Sequence, residues 1–389
     1  MDKELLRYWT LDSGVTYLNH GSYGAVLSVV QEHQNELRRR MEEQPIDFMV
    51  RQLRPALDEA RLILASFLGA QPNDLVFVNN ATEGVNSVLR SFPWEAGDRV
   101  LVTDHGYQAC RNAVDFVAGQ FGLEVDVAEI PFPLVSPDIA VDQVLEMVTP
   151  RTRLALLDHV TSPTALVLPI DRMIPVLRSE GVRVLVDGAH APGMLPLNLN
   201  HVGADYYTGN CHKWMCAPKG AGFLWVREDC QDEVRPVSIS HGASEGSPEP
   251  SRFVEEFSWK GTDDFTPWLC VPAAIAALDS LASGGWPDIM QANRKMALEA
   301  RDILCTALSI APPAPDAMIG AIASIPLPPG DPELFYSQLL SLGIEVPVFS
   351  WNDLRILRVS SQLYNVRDDY EFLAQNVMLA AGSEEVDVK

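Results

Sequence analysis

Lys213 stands between a histidine and a tryptophan in the stretch TGNCHKWMCAPKGAGFLWV, Thr208 to Val226. Aromatic, thiol and small neighbours favour an uncharged lysine. Poor solvation disfavours the ammonium form and leaves a nucleophilic amine. Upstream, Asp187 ends the apolar run VRVLV and opens DGAHAPG. A carboxylate at the end of a buried strand needs a partner. A salt bridge within the fold would serve, and so would a cationic ligand nitrogen. His190 follows three residues later.

Three other stretches carry weaker signals of the same kind. In NNATEGVN a small turn opens into a helix around Ala81 and Thr82. Free N–H groups and the dipole at a helix start favour an anion, though Thr82 would also serve as a plain N-cap. In DHGYQA, His105 and Tyr107 sit where a strand gives way to a helix; an aromatic there stacks on a planar ligand or packs in the core. In TSPTALVLP, Thr161, Ser162 and Thr164 offer hydrogen bonds that turn chemistry alone also explains. Cys211, His212 and Cys216 lack a second ligand pair, so buried thiols are the expectation and no metal is implied. Taken together, an amine, a carboxylate, a stacking ring and an anion cradle are what pyridoxal 5′-phosphate requires.

Positioning these groups falls to alternating elements. The runs DLVFV, RVLVTD, EVDVAEI, RLALLDHV, RVLVD, ADYYTG and GFLWV read as strands, with helical patterns between most of them. Such alternation predicts an α/β three-layer sandwich with a mostly parallel sheet, whose ligands bind at the C-terminal strand ends. The chemistry-bearing residues fall at those ends. The expected large domain spans 15–265. A smaller α+β C-terminal domain takes 266–389 together with 1–14. EGSPEPSRF reads as a loop, and the tail GSEEVDVK is expected to fray.

A length of 389 residues suits two or three domains at ~100–200 residues each. The net charge of −23 argues against nucleic acid or an anionic membrane as partner. LCVPAAIAALDSLA, from Leu269, is interrupted by Pro272 and Asp279 and reads as a core helix rather than a span. The N-terminus lacks the apolar run of a signal peptide, and the six cysteines show no disulfide framework. A reducing cytoplasm is the expected location.

Seven stretches carry a specific resemblance: YLNHGSYGAV, NNATEGVN, DHGYQACRNAV, TSPTALVLPI, DGAHAPG, YYTGNCHKWMCAPKGAGFLWV and LRVSSQLYN. In these the chain resembles fold-type I pyridoxal-phosphate enzymes of the class V aminotransferase group, and within it proteins like isopenicillin N epimerase. The resemblance implies that Lys213 bonds the cofactor covalently and Asp187 holds its pyridine nitrogen. Tyr107 would stack on the ring. Ala81, Thr82, Thr208, Asn210 and His212 would bind the phosphate, and Ser162 and His190 would lie near the ring hydroxyl. Arg358 would grip the substrate α-carboxylate, with Asn19, His20 and Tyr23 covering the substrate side. Thr262 would reach a phosphate across a homodimer interface.

One departure stands out. Relatives read Gly-Thr-Arg-Asp where this chain reads GTDD, with Asp263 in place of the arginine. The resemblance implies a small-molecule amino-acid substrate. The favoured reaction is β-elimination from a cysteine S-conjugate by a C–S lyase, in secondary metabolism. Epimerisation is the alternative, and a decarboxylating, oxidative route comes third. A cysteine desulfurase is disfavoured, because no cysteine lies between Cys305 and Arg358. A non-catalytic sensor with the same fold is the alternative of another class; retention of both Lys213 and Asp187 argues against it.

Overall fold

A computed structural model of the chain describes residues 3–244 and 250–387, with side chains described as far as 380. Part of the expected Pro/Ser/Glu loop, 245–249, lies outside the described residues, as do the last two residues of the tail.

Among the described residues, seven strands form one sheet: β1 (Leu75–Val78), β2 (Arg99–Thr103), β3 (Glu124–Ala128), β4 (Thr152–Asp158), β5 (Arg183–Gly188), β6 (Tyr206–Asn210) and β7 (Gly222–Val226). Their order is β1-β7-β6-β5-β4-β2-β3. Only β7 runs against its neighbours, β1 and β6; the other pairings are parallel. The strands are apolar on both faces for a visible reason. Leu101, Ala155, Leu157, Val184 and Val186 belong to one core. The alternating residues Val100, Val102, Leu154, Leu156 and Leu185 belong to a second. A period of two sends neighbours to opposite faces, so a strand covered on both sides must be apolar throughout.

The helices cover the two faces. α1 (Ser28–Glu43), α2 (Leu53–Leu68), α5 (Pro137–Glu146), α6 (Ile170–Ser179) and α7 (Val271–Asp279) contribute to the first core. α3 (Ala81–Ser91) and α4 (Gln108–Phe121) contribute to the second. Burying each Val or Leu of these cores stabilises by roughly 1.5–3 kcal/mol before chain entropy is counted. Pro272 lies in the first turn of α7, where a missing N–H is harmless, so it starts that helix rather than breaking it. Among the described residues, no helix is long and apolar enough to cross a membrane.

C-terminal to these, β8 (Ile322–Leu327), β9 (Val348–Trp351) and β10 (Leu354–Ser360) form an antiparallel sheet in the order β9-β10-β8. The long helices α8 (Trp286–Leu308) and α9 (Arg367–Asp387) pack on it through Ala300, Leu304, Tyr370, Leu373 and Val377. The tail expected to fray is helical as far as Asp387. Two short segments tie the N-terminus to this layer: Thr16–Tyr17 pairs in parallel with Ile344–Glu345, and Leu18 enters its core. Residues 16–18 therefore bridge the division expected at 14/15, and α7, beyond 265, packs with the large sheet. As a proposed division, 15–265 against the rest still separates the two sheets.

Candidate active site

β1, β2, β4, β5 and β6 deliver their C-terminal ends to one cavity of about 230 Å³. Lys213 lines it, just beyond β6. Burial and the nearby Arg358 charge push its amine down to about 7. Its Nζ is 3.0 Å from His190 Nε2. His190 is itself buried, which holds it well below the usual imidazole range and therefore neutral. Its Nδ1 accepts the Trp214 indole N–H at 3.4 Å, so its own proton sits on Nε2 and is donated to the lysine amine. This arrangement supports an uncharged Lys213.

The lysine backbone is fixed from behind. His20 Nε2–H donates to the Lys213 carbonyl at 3.1 Å, while Tyr364 OH donates to His20 Nδ1 at 2.9 Å. Burial pushes His20 down to about 3, so this contact stays uncharged. Gly24, at φ +68°, lets the N-terminal segment press on the same loop. A Cβ there would fall 2.0 Å from the His212 carbonyl oxygen.

Asp187, at the end of β5, is 3% exposed. Its Oδ1 accepts the Ala189 N–H at 2.9 Å, and its Oδ2 accepts the Cys110 thiol at 3.1 Å. Burial raises its carboxyl above the usual range, while these donors and Lys213 oppose the rise.

At the start of α3, Asn80 is the N-cap and accepts the Glu83 N–H at 2.9 Å. Ala81 N–H goes to Asn210 Oδ1 at 2.8 Å, joining β6 to the helix start. Ala81, Thr82, Asn210 and His212 all line the cavity here. Tyr107, N-cap of α4 and half-exposed, lines it too.

Arg358, on β10, reaches the cleft from the small sheet. It is 7% exposed. Nη1 donates to the Ser162 carbonyl at 2.6 Å and Nη2 to Ser22 Oγ at 3.0 Å, while Nε, fully buried, has no hydrogen-bond partner. Among the described residues no carboxylate pairs with it. Burial pulls it down to about 10. A buried guanidinium with an unused N–H fits a ligand carboxylate.

The predicted residues divide cleanly. Ala81, Thr82, Tyr107, Ser162, Asp187, His190, Asn210, His212, Lys213 and Tyr23 line the cavity, and Arg358 adjoins it through Ser22 and Ser162. Four lie elsewhere. Thr208 is fully buried, donates to the Phe223 carbonyl at 2.8 Å and packs against Gly84. Asn19 donates to Glu345 Oε1 at 3.1 Å, and His20 sits behind Lys213 rather than over the substrate side. Thr262 is exposed and away from the cavity. Three residues were not foreseen: Ser22, Cys110 and Asp158. Asp158 is the last residue of β4, and attention to the turns after each strand passes over it.

These residues fit a pyridine cofactor carrying a phosphate. A buried neutral amine, a hydrogen-bonded carboxylate, a half-exposed tyrosine and a helix start meet in one cleft.

The comparisons agree with that fit. The chain matches the family Aminotransferase class-V over residues 24–348. It belongs to this family. Pyridoxal 5′-phosphate is thereby its cofactor, and the chain is an enzyme of that type. It is 38% identical to isopenicillin N epimerase of Amycolatopsis lactamdurans over 382 residues, covering 94% of this chain and 95% of that one. It is 29% identical to L-cysteine desulfhydrase of Arabidopsis thaliana, covering 96% and 88%. Among solved structures, the cystine C-S lyase C-DES bound to its product cysteine persulfide superposes with a TM-score of 0.81 at 23% identity, covering 94% and 98%. That likeness bears on the fold.

Proposed function

We propose that this chain is a C–S lyase that removes a β-sulfur substituent from a cysteine S-conjugate. The bound cofactor supplies an electron sink for the carbanion formed at the substrate α-carbon. Everything else falls to the chain. Arg358 holds the α-carboxylate from the small sheet. Asp187 keeps the pyridine nitrogen protonated. Lys213, near neutrality, takes the α-proton.

The observation that carries the reading is the single base. Of the lining amine and imidazoles, Lys213 alone is brought near neutrality, while His190 and His212 are pulled below it. The Tyr107 phenol is pushed up by burial and stays protonated. His190 has both ring nitrogens engaged, and burial pulls His212 down to about 4. One base suffices for β-elimination, where the α-proton leaves with the β-sulfur group. Reversible epimerisation needs a base on each face. The six cysteines are all buried, and Cys110 is directed at Asp187, so none offers a mobile thiol to accept sulfur. The sulfur leaves with the small product. The remaining three-carbon fragment hydrolyses to pyruvate and ammonia.

A second reading, epimerisation of an amino acid or peptide side chain, draws on the protonated Tyr107 as a second proton donor lining the cavity and on the 38% identity to an epimerase. A decarboxylating route remains the third, with Asp263 the first residue to test; it is exposed and caps the Asp264 N–H at 2.8 Å.

We take the enzyme to be a cytoplasmic homodimer. The exposure of Thr262 and the free, buried thiols support this. Borohydride reduction of the full-length protein followed by peptide mapping tests the site. The cofactor should be fixed to Lys213, and Lys213→Ala should lose both the label and turnover. Label on Lys219 or Lys260 would remove Lys213 from its role.

A further inference from the structure

Asp158 raises a question that the cofactor roles above leave open. It ends β4, and the parallel register pairs it directly with Asp187 at the end of β5. Neighbouring strands lie about 4.8 Å apart, so two carboxyl groups begin from backbones in contact. Both are almost fully buried, at 4% and 3% exposed. Both line the same cavity. Among the described residues, neither forms an ion pair with a lysine or arginine. Two carboxylates in such a place cannot both ionise at neutral pH.

The surroundings decide which one does. Asp187 has the Cys110 thiol on one oxygen, the Ala189 N–H on the other, and feels the Lys213 amine. Asp158 faces only uncharged backbone N–H groups, those of Tyr107 and of its own residue, and has Asp187 itself as its nearest charge. A Cβ placed on Gly106, beside Tyr107, would come within 3.5 Å of Asp158 Oδ2, so the carboxyl sits directly under that turn. The other titratable groups around the pair are accounted for. Cys110 and the Tyr107 phenol come from α4 and its cap, and both are held protonated by burial. His190 is neutral, and Arg358 lies above, on β10. His159, the next residue after Asp158, bonds Tyr207 OH at 2.8 Å, and burial keeps it neutral at about 4.

We infer that Asp158 is a positioning residue that works as a neutral acid: it leaves Asp187 as the only negative charge at the floor of the cleft and packs beneath the Gly106–Tyr107 turn that carries the stacking ring. Burial and the Asp187 charge both raise the Asp158 carboxyl, in agreement. A floor with one charge matches a ligand with one cationic nitrogen. The inference stands on strand register and burial, and it is independent of which substrate bond is broken.

The sign of the pH effect follows. A carboxyl raised in the folded state binds its proton more tightly there than in the unfolded chain. Its unfavourable contribution therefore appears as pH rises above the unfolded value of about 4 and grows until the folded group ionises. Asparagine has no such proton to lose and fills the same space beneath the Gly106–Tyr107 turn.

The test uses the full-length protein, purified with its cofactor, as wild type, D158N and D158A. Thermal midpoints are measured from pH 5 to pH 9. D158N should match or exceed wild type at neutral pH, and the difference, D158N minus wild type, should rise with pH. D158A should fall below D158N throughout, since it leaves a void beneath the Gly106–Tyr107 turn. Infrared difference spectra at neutral pH should show a protonated carboxyl band in wild type that D158N lacks. The inference is overturned if D158N drops as far as D158A with a gap that does not change with pH, or if the protonated band is missing from wild type. Loss of borohydride labelling at Lys213 would leave these results standing, so the two readings fail separately.

Discussion

Arg355 and Arg358 lie three positions apart on β10, and an odd offset along a strand places them on opposite faces. The structure shows what each face holds. Arg358 meets Ser22 and Ser162 at the cleft, with a buried N–H left over. Arg355 Nε donates to the Pro328 carbonyl at 2.8 Å, and the guanidinium lies 4.6 Å over the Phe335 ring. Two lysine substitutions should therefore differ in kind. Arg358→Lys keeps the charge but loses the two-point grip; KM should rise and kcat fall, together ~10- to 100-fold in kcat/KM, on the order of 1.4–3 kcal/mol. Arg355→Lys should lower Tm through lost stacking and carbonyl bonds and leave KM alone. Steady-state kinetics beside thermal melts separate the two. If both variants behaved alike in KM, Arg358 would not be the carboxylate anchor. Nothing local in the sequence reveals that the Arg355 side chain is buried against Phe335.

At the scale of elements, α3 and β6 form the joint on which the phosphate end depends. Gly84 faces Thr208 so closely that an added Cβ would fall 2.1 Å from its hydroxyl. Asn210 Oδ1 accepts the Ala81 N–H that opens the helix. Gly84→Ala must push α3 off β6, and overpacking of this kind typically costs about 1–3 kcal/mol. Asn210→Ala should cost about 1 kcal/mol in stability by leaving a buried N–H without its acceptor. Both should weaken cofactor retention, read by dialysis and absorbance, with Gly84→Ala the more severe in Tm. Equal retention in all three proteins would disconnect this joint from the cofactor.

Much of this element framework was legible beforehand. Strands buried on both faces read as continuous apolar runs, and each run was found in place. The reactive residues cluster at strand ends, where turns carry unusual side chains that sequence displays openly. What stayed hidden is lateral. Thr208 looked like a phosphate ligand because it precedes Lys213, yet it lies in β6 two residues before Asn210, on the face it shares with that residue, and packs against Gly84 of α3 instead of reaching the cavity. His20 looked like a cover for the substrate, yet it acts on the Lys213 carbonyl from a segment nearly two hundred residues away in sequence. Asp158 was invisible as a partner of Asp187 because register between neighbouring strands is set by crossovers, not by any local motif.

The whole molecule brings Arg358, on the small sheet, to Lys213, on the large one, so substrate and cofactor are held by different layers. The N-terminal bridge from Thr16 to Leu18 and the His20 contact join those layers next to the lysine. The proposed dimer would add Thr262 of the partner to this arrangement. Activity should then decline on dilution in step with dissociation seen by sedimentation, and a fully active monomer would count against it. A lyase and an epimerase differ in the fate of the substrate. That difference is tested most directly by mass spectrometry of the products formed from a panel of cysteine S-conjugates in deuterium oxide. We expect equimolar pyruvate and released thiol with wild type and neither with Arg358→Ala. Recovery of the intact amino acid, inverted at the α-carbon and carrying one deuterium there, with no pyruvate, would contradict the lyase account and establish an epimerase.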